Sequence, residues 1–302
     1  MRNAFSDALV AAAVADPRVL LLTGDHGYAL FDQFRKKCPH QYINCGVAEQ
    51  NMVGVAAGLA KAGFRPVVYG LAAFVPIRVL EQIKIDICYE KLPVILIGDG
   101  AGLVYSHLGT SHQSTEDIAC TRSIPELTVL SPADRFEMKA SMELAFNSPS
   151  PVYLRMGKSD HGDVHTGGLE LQLGEMIQIR KSSARLAILA TGSMVRVAVD
   201  IVDQGLDAEI WSVPIIKPLS IKLFAEVFSR VDKIITLEEH SKVGGLGSTI
   251  VEILAEHHPL QVCIIGIEDR FSKSCGSWGH LLQDHQIDYK SIVKKINSHF
   301  GK

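Results

Sequence analysis

The sequence predicts an α/β chain of two doubly wound domains, a parallel-sheet domain followed by a smaller α/β domain. Short apolar runs alternate with longer segments of helical period from residue 3 to residue 300. Such alternation marks strands buried on both faces by crossover helices. It is interrupted once, between Lys158 and Gly174, by four glycines, two histidines and no sustained apolar period. With 302 residues and 47% hydrophobic content the chain can fill two cores. The expected division is 1–160, a linker over 161–182, and 183–302.

In order, the pattern predicts a helix over Asn3 to Ala15, a strand over Val19 to Thr23 and a helix opening at Glu49. Strand Pro66 to Tyr69, helix Ile77 to Cys88 and strand Pro93 to Gly98 follow, then a long polar loop from Asp99 to Glu116. Strand Leu127 to Leu130, helix Asp134 to Ala145 and strand Val152 to Arg155 close the first domain. The second runs strand Leu186 to Ala190, helix Met194 to Val202, strand Ala208 to Val213 and helix Ile221 to Phe228. It ends with strand Lys233 to Leu237, helix Gly247 to Ala255, strand Gln261 to Ile265 and helix Tyr289 to Phe300.

A net charge of -3 with both signs interspersed gives no electrostatic case for nucleic acid or an anionic membrane. The six cysteines are scattered without a C-x-x-C pair, against both a zinc site and a disulfide framework. The opening residues lack a basic stretch followed by an apolar core and cleavage site, so a cytoplasmic protein is expected. Small molecules and other proteins are the partners this balance suits.

The helix at Glu49 is unusual. After Asn51 it has no polar side chain until Lys61, and Gly54, Ala57 and Gly58 flatten one face, so a buried helix is expected, open to close approach by another backbone. Glu49 then has two readings: a cap on its own helix, or a desolvated carboxyl able to give and take a proton. In open α/β sheets ligands bind beyond the carboxyl ends of strands. The loops there carry Asp25 and His26, Phe74, Asp99 with His107 and His112, and Arg155.

Other motifs invite chemistry and are set aside. Gly98-Asp99-Gly100 resembles the start of a magnesium–diphosphate site, but no asparagine lies between Gly100 and Asn147 to complete the oxygen shell. Gly244-Gly245-Leu246-Gly247 is neither G-x-G-x-x-G nor a Walker loop and reads as a tight turn into a helix. His257-His258 and Glu238-Glu239-His240 have no second cluster at ligand spacing, so cap or surface roles are expected and no metal site is assigned.

Gly46-Val47-Ala48-Glu49-Gln50-Asn51 with Ala56-Ala57-Gly58-Leu59-Ala60, Gly109-Thr110-Ser111-His112-Gln113, Glu116-Asp117-Ile118-Ala119 and Ser131-Pro132-Ala133-Asp134 resemble the pyrimidine-binding domain of transketolases. Ala190-Thr191-Gly192-Ser193, Pro214 to Leu219 and Glu238 to Gly247 resemble the transketolase C-terminal domain. The likeness spans nearly the whole chain and implies the C-terminal subunit of a split transketolase. That subunit pairs with an N-terminal subunit, holding the diphosphate and Mg2+ of thiamine diphosphate, in an α2β2 assembly that moves a two-carbon ketol unit from a ketose to an aldehyde.

The resemblance also implies roles. Glu49 would bond the aminopyrimidine N1′, Phe74 would stack on that ring, and Asp25 would face the thiazolium. His112 would bond the substrate oxygen or shuttle its proton. Arg155 and Arg2 would hold substrate phosphate. Beside what the resemblance implies, the loop residues His107 and His26 are read as further substrate contacts, His107 in place of part of a lost sugar contact. Three positions depart from the family pattern: Gly100 for a second histidine, Leu108 for an aspartate that reads a sugar hydroxyl, and Ala29 for a serine. They imply altered sugar recognition, which leaves a modified or nucleotide-linked sugar as open as an ordinary pentose phosphate. The β subunit of a 2-oxoacid dehydrogenase and a non-catalytic partner subunit are the alternatives.

Overall fold

Strands β1 (Val19–Thr23) and β4 (Ile95–Asp99) are buried at every position, which is why residues 19–22 and 94–97 read as apolar runs. In a computed structural model describing residues 1–157 and 162–301, they lie in a seven-stranded sheet. The others are β2 (Tyr42–Asn44), β3 (Arg65–Leu71), β5 (Thr128–Leu130), β6 (Val152–Met156) and β10 (Ile215–Lys217). The order is β10-β5-β6-β4-β3-β1-β2. The register sets Thr23 beside Tyr69, Leu71 beside Asp99 and Asp99 beside Met156, so four strands end at one edge.

Helices α1 (Arg2–Ala15) and α6 (Arg135–Asn147) share one core with this sheet, through Phe5, Leu9, Met138 and Met142. The Asp134 side chain starts α6 by accepting from Phe136 and Glu137 N–H at 2.9 and 3.0 Å. The core on the other face contains Met52, Val53, Ala56 and Ala57 of α3 (Glu49–Lys61). Each fully buried Met or Val side chain contributes about 1.5–3 kcal/mol. Short helices α2 (Asp32–Lys37), α4 (Leu80–Gln82) and α5 (Asp117–Arg122) fill the connections, and α4 continues as a π-helical stretch to Cys88.

The second sheet holds β7 (Ile177–Arg180), β8 (Leu186–Ala190), β9 (Glu209–Ser212), β11 (Lys233–Ser241) and β12 (Gln261–Ile267), in the order β12-β11-β8-β9-β7. Helices α7 (Met194–Asp203), α8 (Ile221–Phe228), α9 (Leu246–His257), α10 (Trp278–Asp284) and α11 (Tyr289–Phe300) complete this domain. Its described strand pairs are parallel except β7 on β9.

The pattern misses several elements for physical reasons. β2 is three residues long, at best half-buried and on an edge, so it carries no apolar run. β7 lies inside the expected linker, because an antiparallel edge strand with half-buried residues throughout lacks a core-strand pattern. The expected boundary at residues 160 and 161 lies outside the described residues. β10 falls in an expected loop, yet it pairs antiparallel with β5 of the first sheet. That strand exchange welds the domains, and one core runs from Met52 and Ile83 to Phe224 and Leu246.

The helix α3, expected to be buried, is buried within this chain on one face only. Its Met52–Ala56 face is buried, whereas Asn51, Gly54, Val55 and Gly58 are exposed. A Cβ built at Gly54 or Gly58 meets nothing within 4 Å. Among the described residues, nothing covers the glycine face.

Candidate active site at the carboxyl edge of the first sheet

Glu49 opens α3 and is 3% exposed. The cap position is Ala48, with no side-chain cap, and the Glu49 carboxylate instead pairs with Arg78, Nη1 to Oε2 at 2.8 Å. The capping alternative is therefore not the arrangement found. Arg78 lies in the turn that follows Phe74 and places its Cζ 4.2 Å from the centroid of the Phe74 ring. The half-buried Phe74 meets His112 edge-on, centroids 5.5 Å apart. Ser111 Oγ sits 3.0 Å from His112 Nδ1. Residues 49, 74, 78 and 112 thus form one chain of contacts at the sheet edge.

His26 follows β1 on the same edge. A Cβ at Gly24 lies 3.3 Å from its ring and 3.9 Å from Glu49 Cγ. Its Nε2 is buried without a hydrogen-bond partner, and burial lowers its pKa against the raising effect of the Glu49 charge. Asp25 is exposed, in a left-handed conformation with φ 53°. It accepts from Tyr28 Oη at 2.7 Å and Asn44 Nδ2 at 3.4 Å, bonds that hold its carboxyl below the usual range.

Arg2 and Arg155 have different surroundings. Arg2 pairs with Asp99, whose Oδ2 also accepts from Tyr69 Oη at 2.7 Å and Tyr105 Oη at 2.9 Å. Burial works against the Arg2 charge, but Asp99 outweighs it and raises the pKa. The Arg2 side chain stays 54% exposed at the sheet edge. Arg155 is 2% exposed, and its Nε bonds both Asp117 oxygens at 3.0 and 2.9 Å. Its Nη2 reaches the Glu239 carbonyl at 2.7 Å. The expected phosphate grip by Arg155 does not match this geometry: the guanidinium is engaged inside the protein and joins the two domains.

The loop after β4 explains one departure. Gly100 has φ +76°, and a Cβ there would lie 1.9 Å from the Tyr105 ring. Tyr105 fills the space a side chain at 100 would need. His107 and Leu108 are exposed, Leu108 at 55%. Glu239, from the second domain, anchors this loop by accepting from Leu103 N–H at 2.6 Å.

The motifs set aside prove structural. Glu238 accepts from Leu246 and Gly247 N–H at 2.6 and 2.8 Å, capping α9 as expected. Glu239 and His240 are buried ties, not surface residues. Burial lowers the His240 pKa to about 4. Its Nδ1 faces the Ser241 carbonyl at 2.8 Å, and Nε2 accepts from Ala119 N–H at 3.3 Å, a pairing that suits the neutral ring. Among the described residues no cluster of three His, Cys, Asp or Glu side chains is placed to hold a metal. No helix among them is long and apolar enough to cross a membrane.

Arg78 was missed by sequence reasoning. It is the lone charge between Leu71 and Glu81, four residues after Phe74. A charge isolated in an apolar strand-end segment was the available signal.

Two α/β domains sharing a strand, with a buried glutamate at the sheet edge, define the class structurally. Residues 1–162 match the family described as transketolase, pyrimidine binding domain, and residues 175–292 the transketolase C-terminal domain. The chain belongs to the transketolase family. It is 35% identical to one subunit of the apulose-4-phosphate transketolase of Phocaeicola vulgatus, over 97% of this chain and 95% of that one. Identity to the 6-deoxy-6-sulfo-D-fructose transketolase subunit SqwH of a Clostridium species is 31%, over 97% and 92%. A solved split-gene transketolase, described as an inactive beta4 tetramer, superposes with a TM-score of 0.90 at 31% identity, covering 99% and 97%. Over its whole length the chain thus corresponds to the C-terminal subunit of split transketolases.

Proposed function

We propose that this chain is the β-type subunit of a heteromeric transketolase, moving a two-carbon ketol unit from a ketose donor to an aldehyde acceptor. The observation that carries it is the convergence of Glu49, Phe74 and His112 at the sheet edge of a chain matched end to end by split-transketolase subunits.

The residues fit thiamine diphosphate. A carboxylate 3% exposed, a half-buried aromatic ring and an orphaned buried His26 Nε2 suit a flat heterocycle with in-plane hydrogen-bonding groups. When bound, the cofactor supplies the electron sink for breaking and making the carbon–carbon bond. Glu49 would hold a proton at the pyrimidine N1′, and Phe74 would fix the ring and exclude water. His112 would hold or move a proton at the substrate oxygen. Asp25 would face the thiazolium charge, with His26 and His107 as further contacts. The half-exposed Arg2 is the better candidate for an anionic group on the sugar, Arg155 being enclosed. The partner subunit would hold the diphosphate and Mg2+, in an α2β2 assembly.

Leu108 at the loop tip and Tyr105 in the space above Gly100 favour a sugar other than an ordinary pentose phosphate. Two of the relatives are named for apulose 4-phosphate and for 6-deoxy-6-sulfo-D-fructose. The test is co-expression with a subunit carrying the diphosphate site, then a donor screen that includes ordinary ketose phosphates, those two modified sugars and 2-oxoacids. Ketol transfer that requires both chains supports the reading. Turnover of 2-oxoacids alone would replace it with the dehydrogenase-type subunit, and binding without turnover of any donor would point to a non-catalytic partner.

A further inference from the structure

Arg78 makes two contacts at once. Its Nη1 donates to Glu49 Oε2 at 2.8 Å, and its guanidinium carbon stands 4.2 Å from the Phe74 centroid. The group therefore lies between the carboxylate and the ring. Those are the two contacts assigned above to the aminopyrimidine, a hydrogen bond with Glu49 and a face on Phe74. A guanidinium is a planar, delocalised N–C–N unit with in-plane N–H donors, and it stacks on aromatic faces. It matches the amidine edge of an aminopyrimidine in shape and in the groups it satisfies.

One carboxylate and one ring cannot serve both occupants in the same space. We propose that Arg78 is a built-in occupant of the pyrimidine seat, a self-blocking contact that the cofactor displaces on binding. The inference rests on the reading of Glu49 and Phe74 as pyrimidine-binding residues. Arg78 is built to leave: its side chain is 44% exposed while Glu49 is 4% exposed, so the arginine can turn into solvent and the carboxylate cannot. Its backbone is held by the buried Val75 and Val79 on either side. Closure lowers apparent affinity by the fraction of molecules in the open form. A half-exposed ion pair with a cation–π contact sets that factor at roughly three- to tenfold.

The test uses the complex of this chain with a diphosphate-binding partner, titrated with thiamine diphosphate and Mg2+ by calorimetry and followed by stopped-flow fluorescence. Arg78→Ala should tighten binding about three- to tenfold, mainly through faster association. Arg78→Lys, which retains the charge but not the flat face, should fall between the two. Raising the salt concentration should narrow the gap, because it screens the pair in the wild type. Arg78→Ala binding several-fold more weakly, or with unchanged affinity and association rate, would overturn the inference. Phe74→Ala and Glu49→Gln keep the two levels apart. If they weaken binding while Arg78→Ala does nothing, only the displacement idea fails; if no variant matters, the site reading fails with it.

Discussion

Two arginine–carboxylate pairs of similar length have opposite characters. Arg155 and Asp117 meet at 2.9 Å with side chains 2% and 0% exposed, and the Glu239 and Ser114 carbonyls accept from the same guanidinium. Arg78 and Glu49 meet at 2.8 Å with the arginine 44% exposed. The enclosed pair holds two domains together, and the open pair sits where a ligand is expected. Distance does not distinguish them. Exposure of the cation and the number of its partners do, because a buried charge loses its compensation when one partner leaves whereas an exposed cation regains water.

The largest contrast lies in activity. Glu49→Ala should lower kcat of the assembled enzyme by at least about 10²- to 10⁴-fold, the usual share of a proton-transfer group, with the unfolding midpoint close to wild type. Activity within a fewfold of wild type would remove Glu49 from the chemistry. Arg155→Met should cost about 3–5 kcal/mol of stability, since Asp117 is left buried and unpaired. Denaturant unfolding measures it, and adding Asp117→Leu should recover much of the loss. A stable Arg155→Met chain with a raised KM for phosphorylated sugar would reinstate it as a substrate residue.

Acid should loosen the domain junction where His240 lies. Burial lowers its folded pKa to about 4 from an ordinary 6.5, so the unfolded state binds more protons between those values. Its contribution is fully present above about pH 6.5 and is lost as pH falls toward 4, roughly 3 kcal/mol in all. Melting curves at pH 7 and pH 5 should show His240→Gln losing less on acidification than wild type. The smallest effect belongs to the open pair: Arg78→Ala should cost about 1–2 kcal/mol, because Glu49 is left buried without its cation. A loss as large as that of Arg155→Met would erase the distinction between the pairs.

Much of the first domain was legible. β1 and β4 are largely apolar because they are covered on both faces, and the helical period announced α6, which the structure starts at the Asp134 cap. β7 and β10 were not legible, since each is an antiparallel edge strand whose partner lies elsewhere in the chain. At the site, Glu49, Phe74 and His112 stood out through motif and loop position, and the structure brings them into one chain of contacts. Arg155 and Arg78 exchanged importance. Residue type and strand-end position were alike for both, and nothing local records that Asp117 lies under one while solvent lies over the other.

By itself the sequence determined the alternation of strands and helices, the carboxyl-edge loops, and a glutamate heading a helix of small apolar residues. These follow from periodicity and residue chemistry, which act within a few residues. Tertiary structure decided which charges are enclosed, which glycine face of α3 stays open, and that β10 crosses to the other domain's sheet. Those outcomes depend on residues brought together from far along the chain, and burial, which sets the energy of every charge here, exists only once they meet.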